Sequence, residues 1–254
     1  MSETNKAPHK GSIQSVDRAV AILKCFEDTI TLSLAEISRL TGLHKSTTFG
    51  LVSTLEANGM LEQDQVTGRY RLGLSLFRLG NRVDTDIKQI AAPYLDRLAE
   101  LSGETINFAV RDGDCVVYID KRESTHTLRI APDYGRRRAM YNVATGKAIL
   151  AMLPQETITA ILQRTDFRPL TPNTPMSPEA IMNQLRDVRL LGYATNRQEL
   201  EIDRVGIAAP VCDFTGRPVA AVSVCGPISR MTEEFCRRNA AWVVECARSI
   251  SENL

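Results

Sequence analysis

The sequence lacks the features that mark metal-binding, secreted or membrane proteins. Its three histidines, His9, His44 and His126, form no His-x-x-x-His pair and stand near no acidic cluster, and its six cysteines include no C-x-x-C pair. These absences argue against a metal site. A signal peptide and an apolar run of transmembrane length are also missing. We therefore expect a cytoplasmic protein with no metal, no cofactor and reduced, buried thiols.

An excess of charge of one sign is also absent. The 254-residue chain has a net charge of +1, with 43% hydrophobic and 24% charged residues, which is ordinary for a soluble globular protein. No overall field would attract nucleic acid to such a chain. Any affinity for DNA must therefore come from local placement of charge and from dimerisation. The length is sufficient for two domains.

The segment from residue 33 to residue 58 is predicted to form two helices joined by a tight turn. Ser33 and Glu36 have the spacing of a capping box, apolar residues follow at helical intervals, and Gly42 is suited to end the first helix. The second helix is predicted from about Lys45 to Asn58. Its inward positions are Thr48, Leu51, Val52 and Leu55.

The opposite face of the second helix is rich in hydroxyl groups and free of acids until Glu56. A helix face that meets only solvent usually mixes Glu and Lys, whereas a face that approaches polyanionic DNA resembles this one. The alternative is a helical hairpin that only packs. The candidate DNA contacts in this helix pair are Ser33, Lys45, Ser46, Thr47, Phe49, Gly50 and Ser53.

Two short strands, 60–63 and 69–72, are predicted on either side of a turn at 66–68. Their alternation places Arg69 and Arg71 on one side of the hairpin, where they suit phosphates or a narrow minor groove. An amphipathic helix from Ile13 to Phe26 completes a three-helix core. Residues 12–73 are thus predicted to be a winged helix-turn-helix domain, preceded by a disordered tail at 1–11.

Beyond the wing, apolar residues at helical spacing predict a linker helix within 74–92, and Pro93 is predicted to begin the first helix of a second domain, 93–254. That domain alternates strands and helices. Strands are predicted at 105–111, 115–122, 127–130, 193–197, 205–212 and 218–225, and helices at 144–153, 155–162, 179–191 and after the N-cap Thr232. The fold class is therefore α+β with a mostly antiparallel sheet.

Both halves carry motifs whose order and spacing match one protein family. The motifs are Ser15–Ala19, Leu34–Ile37, Thr41–Leu43, Lys45–Thr47 and Tyr70–Gly73, then Gly146–Ala148, Gly192–Ala194, Ala208–Val211 with Asp213, and Ala220–Ser223 with Gly226-Pro227. On these motifs, residues 12–252 resemble the IclR family of bacterial transcription regulators. The resemblance implies an N-terminal winged helix-turn-helix, a GAF-like effector-binding domain, and a homodimer or dimer of dimers whose control of transcription depends on a small molecule.

The chain departs from the family pattern at three places. Gly50 stands where the family often has Arg in the recognition helix, which puts one DNA contact in doubt. Ala139 and Tyr141 stand where the family often has Pro and His, and Asp203 stands where it often has Gly. The ligand therefore cannot be copied from a relative.

The resemblance also points to an effector site in the second domain. The implied residues are Tyr141, Ala144, Thr145, Gly146, Asn196, Gly206, Ser223 and Cys225. Ser223 and Cys225 alternate in one strand and so share a face. The segment Ala144–Lys147 does not fit a phosphate loop, because Tyr141 and Ala148 stand where Gly and Ser or Thr are required. A helix N-terminus here would instead offer N–H groups to an anion, and neutral donors would hold a carboxylate without a dedicated Arg.

We expect a DNA-binding regulator, a repressor of a catabolic operon rather than an enzyme, that binds a small organic or sugar-derived acid. The rival hypothesis is a small-molecule sensor or enzyme whose N-terminal domain mediates only protein contacts. A nucleophile formed by His126 with Cys115 or Cys212 remains open at this stage, although buried structural cysteine is the commoner state. The acid-free helix face and the wing arginines favour the regulator.

Overall fold

The computed structural model describes residues 12–80, 86–130 and 135–254, with the side chain of Asp86 excepted. The chain divides into two compact units, Met1–Asp84 and Thr85–Leu254. The predicted tail at 1–11 and part of the predicted linker, 81–85, lie outside the described residues. Within the described ranges, no helix is both long and apolar enough to cross a membrane.

The first unit contains the three-helix core and the two-stranded hairpin that were predicted, followed by a fourth helix. The helices are Gln14–Lys24 (α1), Leu34–Thr41 (α2) and Lys45–Ala57 (α3); the strands are Leu61–Gln63 (β1) and Tyr70–Leu72 (β2); the helix Leu74–Gly80 (α4) follows. The strands pair antiparallel, with Glu62 opposite Arg71. The winged helix-turn-helix fold of this unit is therefore confirmed.

Local signals explain where α2 begins and ends. The Ser33 hydroxyl accepts the Glu36 N–H at 3.3 Å, and the Glu36 carboxylate accepts the Ser33 N–H at 2.8 Å, so the predicted capping box is present. Gly42 ends the helix with φ 69°, a left-handed conformation that glycine adopts without strain. The core beneath these helices consists of Ile22, Phe26, Leu32, Ile37, Val52, Leu61 and Tyr70.

The second unit is built on one antiparallel sheet of six strands. The strands are Thr105–Asp112 (β3), Cys115–Arg122 (β4), Arg137–Ala139 (β5), Ala194–Arg197 (β6), Arg204–Cys212 (β7) and Pro218–Pro227 (β8), in the order β5-β4-β3-β8-β7-β6. The helices are Asp86–Ser102 (α5), Ala144–Met152 (α6), Gln155–Arg164 (α7), Pro178–Leu191 (α8) and Glu233–Ser251 (α9). The predicted α+β class is confirmed.

Helices cover both faces of the sheet. Neighbouring residues of a strand point to opposite faces and therefore belong to different cores. Ala208 and Ala221 pack in one core with residues of α6, α7 and α8. Ala209 and Val222 pack in the other core with residues of α5 and α9. The central strands are therefore buried on both faces, which explains their nearly continuous apolar sequences.

Two details of the sequence-based prediction are wrong. Residues 127–130 form no strand and are mostly exposed; the sheet instead gains β5, which pairs with β4. Pro93 does not begin a helix but lies inside α5. Ala91, Leu95 and Leu98 are all buried in the same core, so one apolar face of α5 continues across the proline. Packing of this face maintains the helix despite the backbone hydrogen bond that proline cannot donate.

Candidate functional site

Helix α3 presents the predicted polar face to solvent. Lys45, Ser46, Phe49 and Gly50 are exposed, and Phe49 is 56% exposed despite its size. Thr47 and Ser53, also predicted contacts, are half-buried. The predicted inward residues Thr48 and Val52 are buried. The first turn of this fully described helix contains no acidic residue. The face therefore combines a cation, hydroxyls and an exposed ring, and it carries no acid before Glu56 in its last turn.

Gly50 lies in the middle of this exposed face. Among the described atoms, a Cβ added at Gly50 would meet nothing within 4 Å. Internal packing in the first unit therefore does not require glycine at this position. The remaining explanations are a close approach to another molecule or tolerance of the helix to glycine.

The other three predicted DNA contacts already have partners within the chain. Ser33 is engaged in the capping box of α2. Arg69 donates from Nη2 to Glu36 Oε2 at 2.9 Å and to the Thr31 carbonyl oxygen at 3.1 Å. Its Nε donates to Thr31 Oγ1 at 3.1 Å. Sequence reasoning missed these partners, because Arg69 lies 33 residues after Glu36.

Arg71 is paired in the same way across the wing. Its Nη2 donates to Glu62 Oε1 at 2.8 Å and its Nε donates to Glu62 Oε2 at 3.2 Å. The hydrogen bond and charge of Arg71 lower the pKa of the Glu62 carboxyl, so this acid is ionised near neutral pH. The wing arginines therefore bring less net positive charge than their number in the sequence indicates.

A small cavity in the second unit joins most of the predicted effector residues. The described residues that line it are Tyr118, Val143, Ala144, Thr145, Asn196, Arg204, Gly206, Ser223 and Cys225. Six of the eight predicted residues are among them. The cavity volume is ≈ 20 Å³, enough for about one water molecule. Entry of an organic ligand therefore requires side chains around the cavity to move.

Hydrogen bonds hold the polar lining in place. The hydroxyl groups of Tyr118 and Thr145 lie 3.1 Å apart. Asn196 donates its amide to the Asn142 carbonyl oxygen and accepts the Glu199 N–H at 3.2 Å. These contacts link β4 to the start of α6 and β6 to the turn before α6. The lining is consequently preorganised by both the sheet and the helix.

Two predicted effector residues do not line this cavity. The Tyr141 ring packs edge-on against Phe167 with a centroid distance of 5.0 Å, and its hydroxyl accepts the Arg168 N–H at 3.1 Å. Gly146 faces the backbone of Met140; a Cβ there would lie 2.3 Å from the Met140 carbonyl oxygen. Tyr141 therefore contributes to packing, and Gly146 permits close approach of α6 to the preceding turn.

Sequence reasoning missed Tyr118 and Arg204 in the cavity wall. Arg204 is 8% exposed and lies two residues before Gly206 on β7, so both residues share one face of the strand. The alternation of strand residues would have pointed to Arg204, but the sequence analysis predicted that the strand begins at Val205. Arg204 therefore adds a positive charge to a wall for which the sequence predicted only neutral donors.

A buried ion pair stands close in sequence to two cavity residues. Lys147 Nζ on α6 donates to both oxygens of Glu199, at 2.7 and 2.6 Å, and to Gln184 Oε1 at 2.9 Å. Lys147 is 1% exposed. Burial lowers the pKa of the Lys147 ammonium, and the Glu199 carboxylate opposes this effect. The pair connects α6 to the loop after β6. Thr145 lies in α6, and Asn196 lies in β6.

The structure does not assemble the cysteine–histidine nucleophile that the sequence left open. Cys115 begins β4, whereas His126 follows the opposite end of that strand. Cys212 ends β7 at the same end of the sheet as Cys115, since both ends lie level with the end of β3 near Asp112. Burial raises the pKa of the Cys212 thiol, which disfavours the nucleophilic thiolate. In the described part of the chain, no group of three or more His, Cys, Asp or Glu could hold a metal ion.

Comparisons with known proteins match IclR-type regulators over nearly the whole chain. Residues 82–252 match the family described as bacterial transcriptional regulator IclR C-terminal, and residues 15–65 match the IclR helix-turn-helix domain. The chain is 33% identical over 244 residues to the HTH-type transcriptional repressor AllR of Escherichia coli K12, a match that covers 95% of this chain and 90% of AllR.

Solved structures of similar proteins share the fold. The crystal structure of the Thermotoga maritima IclR is 29% identical, with a TM-score of 0.75, and the match covers 96% of this chain and 99% of that one. An IclR homologue from Microbacterium hydrocarbonoxydans, crystallised with 4-hydroxybenzoate, has a TM-score of 0.82 at 23% identity, with 95% of this chain and 99% of that chain covered. At 23% identity, the similarity to the Microbacterium protein shows a shared fold and nothing more.

Proposed function

Because the chain belongs to the IclR family of bacterial transcription regulators, we propose that it represses a catabolic operon until a small organic acid binds its second domain. It is a ligand-responsive, DNA-binding transcription regulator and not an enzyme. The observation that carries the proposal is the exposed face of α3, which carries no acid before Glu56. The name of the AllR relative supports repression rather than activation.

For the DNA interface, we propose that α3 enters the major groove. Lys45 contacts phosphate, while Ser46, Thr47, Phe49, Gly50 and Ser53 approach base edges and sugars. Ser33 contributes through the start of α2. Arg69 and Arg71 reach phosphates by exchanging their present partners, Glu36 and Glu62, for the DNA backbone. For the domain limits, we propose 12–73 for DNA binding, a linker from residue 74, and a GAF-like effector-binding domain that begins with α5 rather than at Pro93 and extends to residue 254.

For the effector, the proposed site is the cavity between α6 and the sheet. Asn196 and Ser223 supply neutral hydrogen-bonding groups, and Ala144, Thr145, Gly206 and Cys225 shape the wall. Tyr141 and Gly146 support this wall from behind rather than touching the ligand. The polar lining suits a small organic or sugar-derived acid better than a large apolar compound.

Exposed apolar residues support assembly as a homodimer or a dimer of dimers. Ile13, Val16 and Val20 are 66%, 55% and 44% exposed, and they follow one another at helical spacing along α1. Such a stripe on a helix that already contributes Ile22 to the core is suited to pack against a second copy. A dimer would also double the phosphate contacts, which a chain with net charge +1 requires. Because its proposed target is operator DNA, we propose that the protein acts in the cytoplasm.

A gel-shift titration with the DNA upstream of the protein's own gene tests the DNA-binding role. The wild-type chain should bind this DNA, and Lys45→Ala should weaken binding across sequences. Arg186→Ala, which removes an exposed cation from α8 in the second unit, is the matched control and should leave binding unchanged. Failure of the wild type to bind DNA would favour the rival hypothesis that the first domain mediates protein contacts, and equal binding by the wild type and Lys45→Ala would exclude Lys45 from the interface.

A further inference from the structure

Arg204 gives the effector cavity a charge that its other residues do not provide. Among the described residues of the cavity wall, Arg204 is the one with a permanent positive charge. It begins β7 opposite Pro227, and Gly206 on the same face lies opposite Cys225. Arg204 therefore lines the cavity at the end of β7 that follows the loop after β6.

The backbone around Arg204 is held on both sides. The Gln198 N–H donates to the Arg204 carbonyl oxygen at 2.8 Å, and the Ile228 N–H donates to the Asp203 carbonyl oxygen at 2.8 Å. Asp203 itself has φ 68°, which turns the chain sharply into the strand. These contacts fix the position of the Arg204 backbone at the start of β7.

The ion pair between Arg204 and Glu201 is longer than the hydrogen bonds that hold the Arg204 backbone. Arg204 Nη1 lies 3.5 Å from Glu201 Oε2, and the Glu201 side chain is 51% exposed. Ion pairs at such distances with a solvated carboxylate contribute little to stability. A ligand carboxylate that offers two shorter, parallel hydrogen bonds is therefore able to replace Glu201.

We propose that Arg204 is the specificity-determining residue of the effector site, where it binds the ligand carboxylate in exchange for Glu201. This inference rests on the proposed effector role of the cavity. Neutral groups such as Ser223 and Asn196 bind an amide about as well as an acid, whereas a guanidinium selects the acid. Arg204 thus determines the charge of the ligand, and the neutral groups determine its shape.

Calorimetry of the full-length protein with pyruvate and pyruvamide tests the inference. The two probes have similar sizes and differ in charge. The wild type should prefer pyruvate. Arg204→Gln should weaken pyruvate binding by about 10- to 100-fold, the range expected for lost charge-assisted hydrogen bonds, and leave pyruvamide binding nearly unchanged. Arg204→Lys, which keeps the charge but not the planar fork, should give an intermediate loss.

Glu201→Gln is the second variant and should act in the opposite direction. It removes the competing carboxylate, so pyruvate should bind more tightly while pyruvamide is unaffected. Because Glu201 is half-exposed, this variant tests the exchange even if Arg204→Gln fails to fold. Ser223→Ala is the control for occupancy of the cavity and should weaken both probes by about tenfold or less, as for a lost neutral hydrogen bond.

Several results would overturn the role of Arg204. They are equal binding of pyruvate and pyruvamide by the wild type, binding of neither probe, unchanged pyruvate binding by Arg204→Gln, and weaker pyruvate binding by Glu201→Gln. A gel shift on the same samples separates this failure from failure of the proposed function. Operator binding by ligand-free wild type and Arg204→Gln would leave the regulator intact and reject only the anchoring role.

Discussion

Glu62 lies directly opposite Arg71 in the wing and occupies two of its guanidinium nitrogens. The pair is exposed on both sides, at 50% for Glu62 and 52% for Arg71. An exposed pair is easily exchanged for a phosphate. The net contribution of the wing to DNA affinity therefore depends on the acid as much as on the arginine.

We expect Arg71→Ala and Glu62→Gln to change DNA affinity in opposite directions. Arg71→Ala should weaken binding across sequences and reduce the slope of log K against log salt by about 0.9 per lost contact. Glu62→Gln should strengthen binding, because it frees Arg71 and removes a negative charge beside the DNA. Gel shifts at several salt concentrations measure both effects. If Arg71→Ala left both affinity and slope unchanged, the wing would not contact DNA.

Gly50→Ala should separate the two explanations for glycine in α3. The added methyl group has room within the protein, and Ala is favoured over Gly in a helix by about 1 kcal/mol. The first unit should therefore melt at a higher temperature. If α3 approaches DNA closely at Gly50, operator affinity should nevertheless fall. Unchanged affinity in a more stable variant would show that glycine is merely tolerated there.

The parts of the fold that sequence predicted are those governed by local signals. The Ser33–Glu36 capping box and Gly42 determine α2 within nine residues, and alternation in β7 and β8 follows from burial of both faces. Strand β5 was missed because Arg137 and Arg138 give it no apolar pattern, and it is short and lies at the edge of the sheet.

The site residues were harder to predict because their partners are distant in sequence. Arg69 meets Glu36, and Lys147 meets Glu199 52 residues later. No spacing rule connects such pairs. Tyr141 was placed by resemblance in the effector site, yet the turn that carries it directs the ring to Phe167. The strand and helix that form the cavity were predictable, whereas the side chains that complete it depend on the tertiary fold.

Asp203→Gly should stabilise the second unit. Asp203 has φ 68°, a conformation that costs energy for a residue with a Cβ and that glycine adopts readily. Relief of this strain should increase the free energy of unfolding by about 0.5–1 kcal/mol, a magnitude typical of backbone substitutions at such positions. Asp203→Ala is the control, because it removes the carboxylate but keeps the strain. Thermal unfolding monitored by circular dichroism measures both variants, and an equal gain from Ala would attribute the effect to charge.

Loss of one partner of the Lys147–Glu199 ion pair should destabilise the second unit more than loss of both partners. Lys147→Met leaves the Glu199 carboxylate buried without its cation, and Glu199→Gln leaves the ammonium without its anion; loss of one partner of a buried pair costs about 3–5 kcal/mol. The double variant removes both charges and allows Gln184, which contacts Lys147 and Glu199, to bond the new amide. It should therefore be more stable than either single variant.

The matched control is the more exposed pair Lys121 and Glu123, where the same substitutions should cost less than about 1 kcal/mol. Chemical denaturation of the four variants and their doubles measures the coupling, and strictly additive losses at Lys147 and Glu199 would contradict it.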